Sequence, residues 1–316
     1  MSGFVNPNYK GPVNPNPADG ESGIVIYGYV PSLALPVVAL VTFALALSGH
    51  VARAVKAKRT RTFHWLIAAA CLLELVGYAS RLYSHKRPFV VVGFVVQYFF
   101  IVVAPVAVQA ALYLALSAAV KRLSDEGKGL LGFNPKWMVI GMIVADTVTT
   151  IIQIAGASLV GTAESSRYRG ESSKVTPEQA NDILLAGLAL QTAAFVVFIV
   201  LLSICTWRSS RALSSVRLPT LLTSLLFASS LLLLLRTTFR LAESAAGIFS
   251  VAATTEALFG CLEYLPVVVT TWIWVVVPLE KALPNDVAGR VGSRDHPDGD
   301  EGKRLEGSND ASTTSV

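Results

Sequence analysis

The sequence predicts an all-α polytopic membrane protein: a seven-transmembrane-helix bundle with its N-terminus outside and its C-terminus in the cytoplasm. Three observations predict it. Of 316 residues, 53% are hydrophobic and only 15% are charged, where a soluble domain carries about 25% charge. Seven apolar runs, at roughly 29–49, 63–83, 89–117, 137–161, 179–206, 217–242 and 255–279, reach the ~20 residues needed to cross a ~30 Å hydrocarbon core. Lys and Arg are divided unequally between the connections, with seventeen on one side and six on the other. The positive side faces the cytoplasm. The net charge of +5 is therefore a topology signal and gives no reason to expect a nucleic-acid partner. The basic loops are also placed to meet anionic inner-leaflet lipid.

Residues 1–28 contain NPNYKGPVNPNP, with too few apolar side chains to pack, and are read as a disordered outside arm. The first apolar run follows it without a basic leader, so it is read as a retained anchor and not as a cleavable signal. Its exit is marked by His50 and the basic turn Arg53, Lys56, Lys58, Arg59 and Arg61. The second run carries Glu74 near its middle and Arg81 two turns later on the same face. In the third, Pro105 cannot donate a helical hydrogen bond, which frees the carbonyl near Ile101. Gln97, Gln109 and Tyr113 are its other polar groups. The inner connection holds Lys121, Arg122, Lys128 and Lys136.

The fourth run contains Asp146, with Gln153 two turns beyond it. An outside loop over 162–176 ends in Thr176-Pro177-Glu178-Gln179, the pattern of a capping box with proline at the first helical position. The fifth helix therefore starts before the membrane. Gly77, Gly156 and Gly187 are expected to allow close helix approach. Arg208, Arg211 and Arg217 close the next inner turn. The sixth run carries Arg236, Arg240 and Glu243, and the seventh Glu256 and Glu263. Residues 29–283 form the transmembrane domain, and 284–316 read as a disordered cytoplasmic tail.

An ionisable group in hydrocarbon costs on the order of 3 kcal/mol unless paired or hydrated. Five carboxylates (Glu74, Asp146, Glu243, Glu256, Glu263) face three guanidinium groups (Arg81, Arg236, Arg240). The excess acid suits a cationic amine head or a bound proton. Glu74, Asp146 and Glu263, with Gln153, are the expected substrate or proton sites, gathered around one wet pocket. Arg81, Arg236, Arg240, Glu243 and Glu256 are the expected charge-pairing residues. Two plainer readings compete. The charges close dry salt bridges that fix packing, or Arg81, Arg240, Glu243 and Glu256 snorkel to the interface.

Cys71, Cys205 and Cys261 all fall inside apolar runs, which argues against a disulfide framework or a zinc site. His50, His64, His85 and His296 show no ligand spacing, and His50 and His64 read as interfacial. No phosphate-binding G-x-x-x-x-G-K-[ST] string occurs. No catalytic residue, metal or cofactor is expected, and the chain is not read as an enzyme.

The strings YVPS (29–32), ELVGYASR (74–81), RPF (87–89), AP (104–105), ADTVTTIIQIAG (145–156), GLALQ (187–191) and RTTFRLAES (236–244), followed by Glu256, come in a fixed order over about 29–283. In this the chain resembles the fungal RTA-like proteins, also called the lipid-translocating exporter family. It departs from them in lacking an Asn after the YVPS string and in carrying Glu263 where the family has Asp, with Pro266 after it. The resemblance implies seven helices, a fungal plasma membrane or endomembrane, lipid asymmetry, release of sphingoid long-chain bases and resistance to amphipathic toxins. The expected function is thus a lipid or amphiphile translocase with membrane lipids or amphipathic small molecules as partners. The alternative is a seven-helix receptor or membrane stress sensor without transport.

Overall fold

The computed structural model describes residues 9, 11–123, 135–169, 175–211, 218–247 and 250–283. Seven helices are long and apolar enough to cross a membrane: α1 (Ala34–Lys56), α2 (Arg61–Lys86), α3 (Val91–Leu123), α4 (Pro135–Arg169), α5 (Pro177–Arg211), α6 (Thr220–Ala246) and α7 (Glu256–Val276). No strand is present among the described residues, only two isolated bridges. The cytoplasmic-tail reading of 284–316 falls outside the described residues, as do Lys128, Lys174 and Arg217.

The bundle is apolar outside and polar within. Val37, Val41 and Leu45 on α1, Val144, Val148 and Ile151 on α4, and Val196, Val197 and Val200 on α5 are exposed, while Glu74, Arg81, Asp146, Arg236 and Glu263 are buried. In lipid this costs nothing outside and hides the charges. Each helix packs on its sequence neighbour, α7 returns to α1, and α3 also meets α6 across the bundle. Phe43 of α1 and Tyr78 of α2 stack and both meet Tyr264 of α7 edge-on. The Trp274 indole donates to Ser229 Oγ across α6 and α7 at 3.0 Å.

Several local expectations are met. A Cβ on Gly156 would lie 2.5 Å from Leu184 N, and one on Gly187 would lie 3.1 Å from Gln153 N. The α4–α5 contact is therefore backbone against backbone, and a Cβ on Gly77 would strike Ile101 at 2.7 Å. Thr176 and Gln179 exchange reciprocal side-chain-to-backbone bonds, each at 3.2 Å, and start α5 at Pro177. Over its 35 residues α5 is about 52 Å long, so it projects beyond the hydrocarbon.

Three differences matter. First, α4 continues through 162–169, which were expected to be loop, because nothing between Gly161 and Arg169 stops a helix. Second, the described part of the arm, 11–33, packs on the bundle end. Val25 is fully buried, Ser22 N donates to Phe89 O at 2.8 Å, and Glu21 bridges Val90. Few apolar residues suffice because the helix ends supply a ready-made surface. Third, His50 and His64, read singly as interfacial residues, are fully buried and meet each other inside the bundle.

Candidate functional site

Pro105 sits inside α3, and the Ile101 carbonyl it frees accepts from Arg236 Nη2 of α6 at 2.8 Å. The same nitrogen donates to Glu263 Oε1 of α7. Glu263 lies in a single π turn, Gly260–Tyr264, immediately before Pro266. Proline cannot donate to the carbonyl four residues back, and the widened turn absorbs the mismatch. Single π turns of this kind are frequent at functional sites. One turn along α6, Arg240 donates to Glu243 Oε2 at 3.0 Å, while its Nε stands 3.8 Å from Glu263. Glu74 of α2 completes the group: it is 1% exposed, with Oε2 unpartnered, and within electrostatic reach of Arg236 and Glu263.

Above this group, toward the N-terminal arm, lies a cavity of about 130 Å³. The arm forms its roof through Ile24, Ile26, Tyr27 and Tyr29. Arg81, Arg240, Glu243 and Asn181 supply polar wall, and Val160, Gly161, Leu184 and Phe259 supply apolar wall. Tyr27 donates to Gln97 Oε1 at 2.6 Å, which ties the arm to α3. Arg81 donates to Tyr29 at 2.7 Å and to Glu256 at 2.9 Å, with its guanidinium 4.4 Å from the Phe259 ring centre. Glu256 also accepts from Ser32 N, so it anchors the start of α1. Burial pushes the Tyr27 phenol up to about 12 against the opposing pull of the Ser84 hydrogen bond and of Arg81. Burial likewise raises Tyr29, although Arg81 opposes it. Both phenols are neutral at physiological pH; Tyr27 donates to Gln97, and Tyr29 accepts from Arg81.

The structure brings Glu74, Glu263, Arg236, Arg240 and Glu243 into one group, but it does not place Asp146 there. Asp146 is fully buried between α3 and α4, where Oδ2 accepts from Tyr113 at 2.7 Å. Gln153 donates to Gln191 Oε1 at 2.8 Å and to Gly187 O at 3.3 Å, and holds α4 to α5. Of the nine candidate site residues, Arg81, Arg240 and Glu243 line the cavity; Glu74, Asp146, Gln153, Arg236, Glu256 and Glu263 do not. Sequence reasoning missed Tyr27, Tyr98, Asn181 and Phe259. The aromatic positions beside the RPF and YVPS strings were the only available signal. Among the described residues, no three His, Cys, Asp or Glu side chains are arranged to hold a metal.

A seven-helix membrane bundle with a buried charge group under an end-on cavity is the class that fold and site define. The chain belongs to the RTA1-like family, whose description, "RTA1 like protein", matches residues 67–286. It is 26% identical over 186 residues to the sphingoid long-chain base transporter RSB1 of Saccharomyces cerevisiae (strain Lalvin EC1118 / Prise de mousse), covering 58% of this chain and 45% of the relative. It is 25% identical over 243 residues to Protein RTA1 of S. cerevisiae (strain ATCC 204508 / S288c), covering 72% of each. The chain thus spans about half the length of the RSB1 relatives it matches. No solved structure matches it.

Proposed function

We propose that the protein moves a single-tailed amphiphile with a cationic amine head, of the sphingoid-base class, between the leaflets of a fungal plasma membrane. The observation that carries this is Glu243: a cavity-lining carboxylate whose side chain is 15% exposed, beside Asn181 and facing an apolar wall of Val160 and Leu184. One carboxylate oxygen is taken by Arg240, which leaves the other for an ammonium. Cavities of about 150 Å³ hold a benzene-sized group, so about 130 Å³ accommodates a head and a few carbons. The tail stays in lipid, which favours a leaflet-to-leaflet path over full enclosure. Family membership and the name of the RSB1 relative point the same way.

The test is reconstitution of the full chain in liposomes with fluorescent sphingoid base. Glu243→Gln keeps an acceptor for Arg240 but removes the charge. Gly161→Leu fills the cavity, because a Cβ there meets nothing within 4 Å. Both variants are expected to melt like the parent and to lose most transport. Full transport by both would reject the site. Saturable binding by the parent without movement of lipid would favour the receptor reading.

A further inference from the structure

At the other end of the bundle, His50 of α1 and His64 of α2 meet in a place without solvent, each 0% exposed. This junction is remote from the cavity: His64 and Arg81 lie on one helix, 17 residues apart, about 26 Å along its axis. The polar atoms form a chain. His50 Nε2 lies 3.1 Å from Thr271 O of α7, and His50 Nδ1 lies 3.1 Å from His64 Nδ1. His64 Nε2 lies 3.1 Å from Glu280 Oε1, and Thr60 donates to the same carboxylate. Glu280 belongs to the one-turn helix Leu279–Ala282 that follows α7.

Protons can be counted along this chain. Its three ring contacts each require one N–H between the two heavy atoms. The Thr271 carbonyl and an ionised carboxylate only accept. Two neutral imidazoles bring two N–H groups in total, so one contact is always short of a proton. With two neutral rings, the Nδ1 lone pairs face each other, or the His50 Nε2 lone pair faces the Thr271 carbonyl, or the His64 Nε2 lone pair faces the carboxylate. Each arrangement leaves buried polar atoms opposed, at the full desolvation cost. One added proton satisfies all three contacts and gives the imidazole pair a positive charge that Glu280 balances.

We infer that His50, His64 and Glu280 form a binding site for one proton, which joins α1, α2 and the end of α7. Besides Glu280, the charge acting on both rings is Arg53 of α1, which donates to Val275 O at 2.6 Å and ties the same helix ends. Burial disfavours ionised Glu280, but the hydrogen bond from Thr60 and the contact with His64 outweigh it, and its pKa lies below the ordinary glutamate value. Thr60 and His64 both converge on Glu280 Oε1, which suits an ionised carboxylate, and the added proton is placed on the imidazole side. The rings point at each other while Glu280 sits beyond His64, so the three side chains share no point for a metal. By linkage, separation of these helix ends releases the proton, and loss of the proton loosens them.

The test is ¹⁵N NMR of the full chain in nanodiscs with histidine labelled in the ring, titrated with pH and assigned with His50→Gln and His64→Gln. The parent is expected to show one imidazolium of this pair persisting above the ordinary ~6.5 midpoint of histidine, beside a neutral ring protonated on Nε2. Two neutral rings at pH 7 would overturn the inference in the parent alone, whatever the variants do. In Glu280→Gln the imidazolium is expected to disappear. If it persists there, Glu280 is not part of the site. Protection of the amides at the end of α7, taken relative to their intrinsic base-catalysed exchange at each pH, is expected to fall as the proton leaves, and unchanged protection would refute the joining role.

Discussion

At the arm end of the bundle, Glu74 Oε2, Arg81 Nε, Tyr98 OH, Arg236 Nε, Arg240 Nε and Glu263 Oε2 are all buried without a hydrogen-bond partner. At the opposite end, no side-chain atom of Thr60, His50, His64 or Glu280 is left so. The arm end draws its charged groups from α2, α6 and α7, and the other end draws His50 from α1, His64 from α2 and Glu280 from the turn after α7. They differ in satisfaction. A buried polar atom without a partner costs about 1–3 kcal/mol, and such atoms call for a functional account when they cluster. Arg81, Tyr98 and Arg240 of this cluster line the cavity. At the far end the polar atoms of Thr60, His50, His64 and Glu280 all have partners, although Gln109, Asp146 Oδ1 and Ser230 Oγ elsewhere in the bundle do not. Beside the cavity proposed to take a head group, donors and acceptors are left over.

The strongest way to break this comparison is Arg236→Met. It removes the hydrogen-bonded partner of Glu263, whose side chain is fully buried, leaving only Arg240 at 3.8 Å, and also leaves the Ile101 carbonyl unpaired. A loss of about 3–5 kcal/mol is expected, read by thermal or denaturant unfolding in detergent. Adding Glu263→Leu should recover most of it, because removing both partners of a buried pair is far less costly than removing one. If the double variant stays as unstable as the single one, the pair is not the unit of stability. Next comes Gly156→Leu, where a side chain meets the Leu184 backbone. Overpacking of about 1–3 kcal/mol is expected, against little change for Gly161→Leu one and a half turns on. Equal effects would mean that the space at Gly161 is not real. The smallest effect is Tyr27→Phe, which removes the bond to Gln97. About 1 kcal/mol is expected, together with faster limited proteolysis of the arm. An unchanged cleavage rate would show that the arm is held by its apolar contacts alone.

Much of the frame was legible in the sequence because its causes are local. Hydropathy over twenty residues finds a span wherever its neighbours are. Thr176 and Gln179 cap α5 within four residues of each other. Pro105 must free a carbonyl whatever approaches it, and the small residues Gly156 and Gly187 mark the closest crossing. The candidate site was legible only in part. Spacing placed Arg236, Arg240 and Glu243 on one helix face, and the count of acids over bases was correct as a count. Arg81 was read with Glu74 on its own helix, yet it turns to Glu256 on another. Asp146 looked equivalent to Glu74 and is instead taken up by Tyr113. His50 and His64 read as interfacial because each stands next to a basic turn. Their equal depth on two antiparallel helices was the signal available.

Composition and charge order by themselves determined that this chain is a seven-helix membrane bundle and where each helix lies along it, since crossing hydrocarbon depends on each segment's own length and apolarity. Tertiary structure decided which buried groups meet: Glu74 with Arg236 and Glu263, Asp146 with Tyr113, His50 with His64, and the arm with Gln97. Those meetings depend on the rotation and tilt of each helix against its neighbours. Packing of the whole bundle sets these angles, and no single segment encodes them.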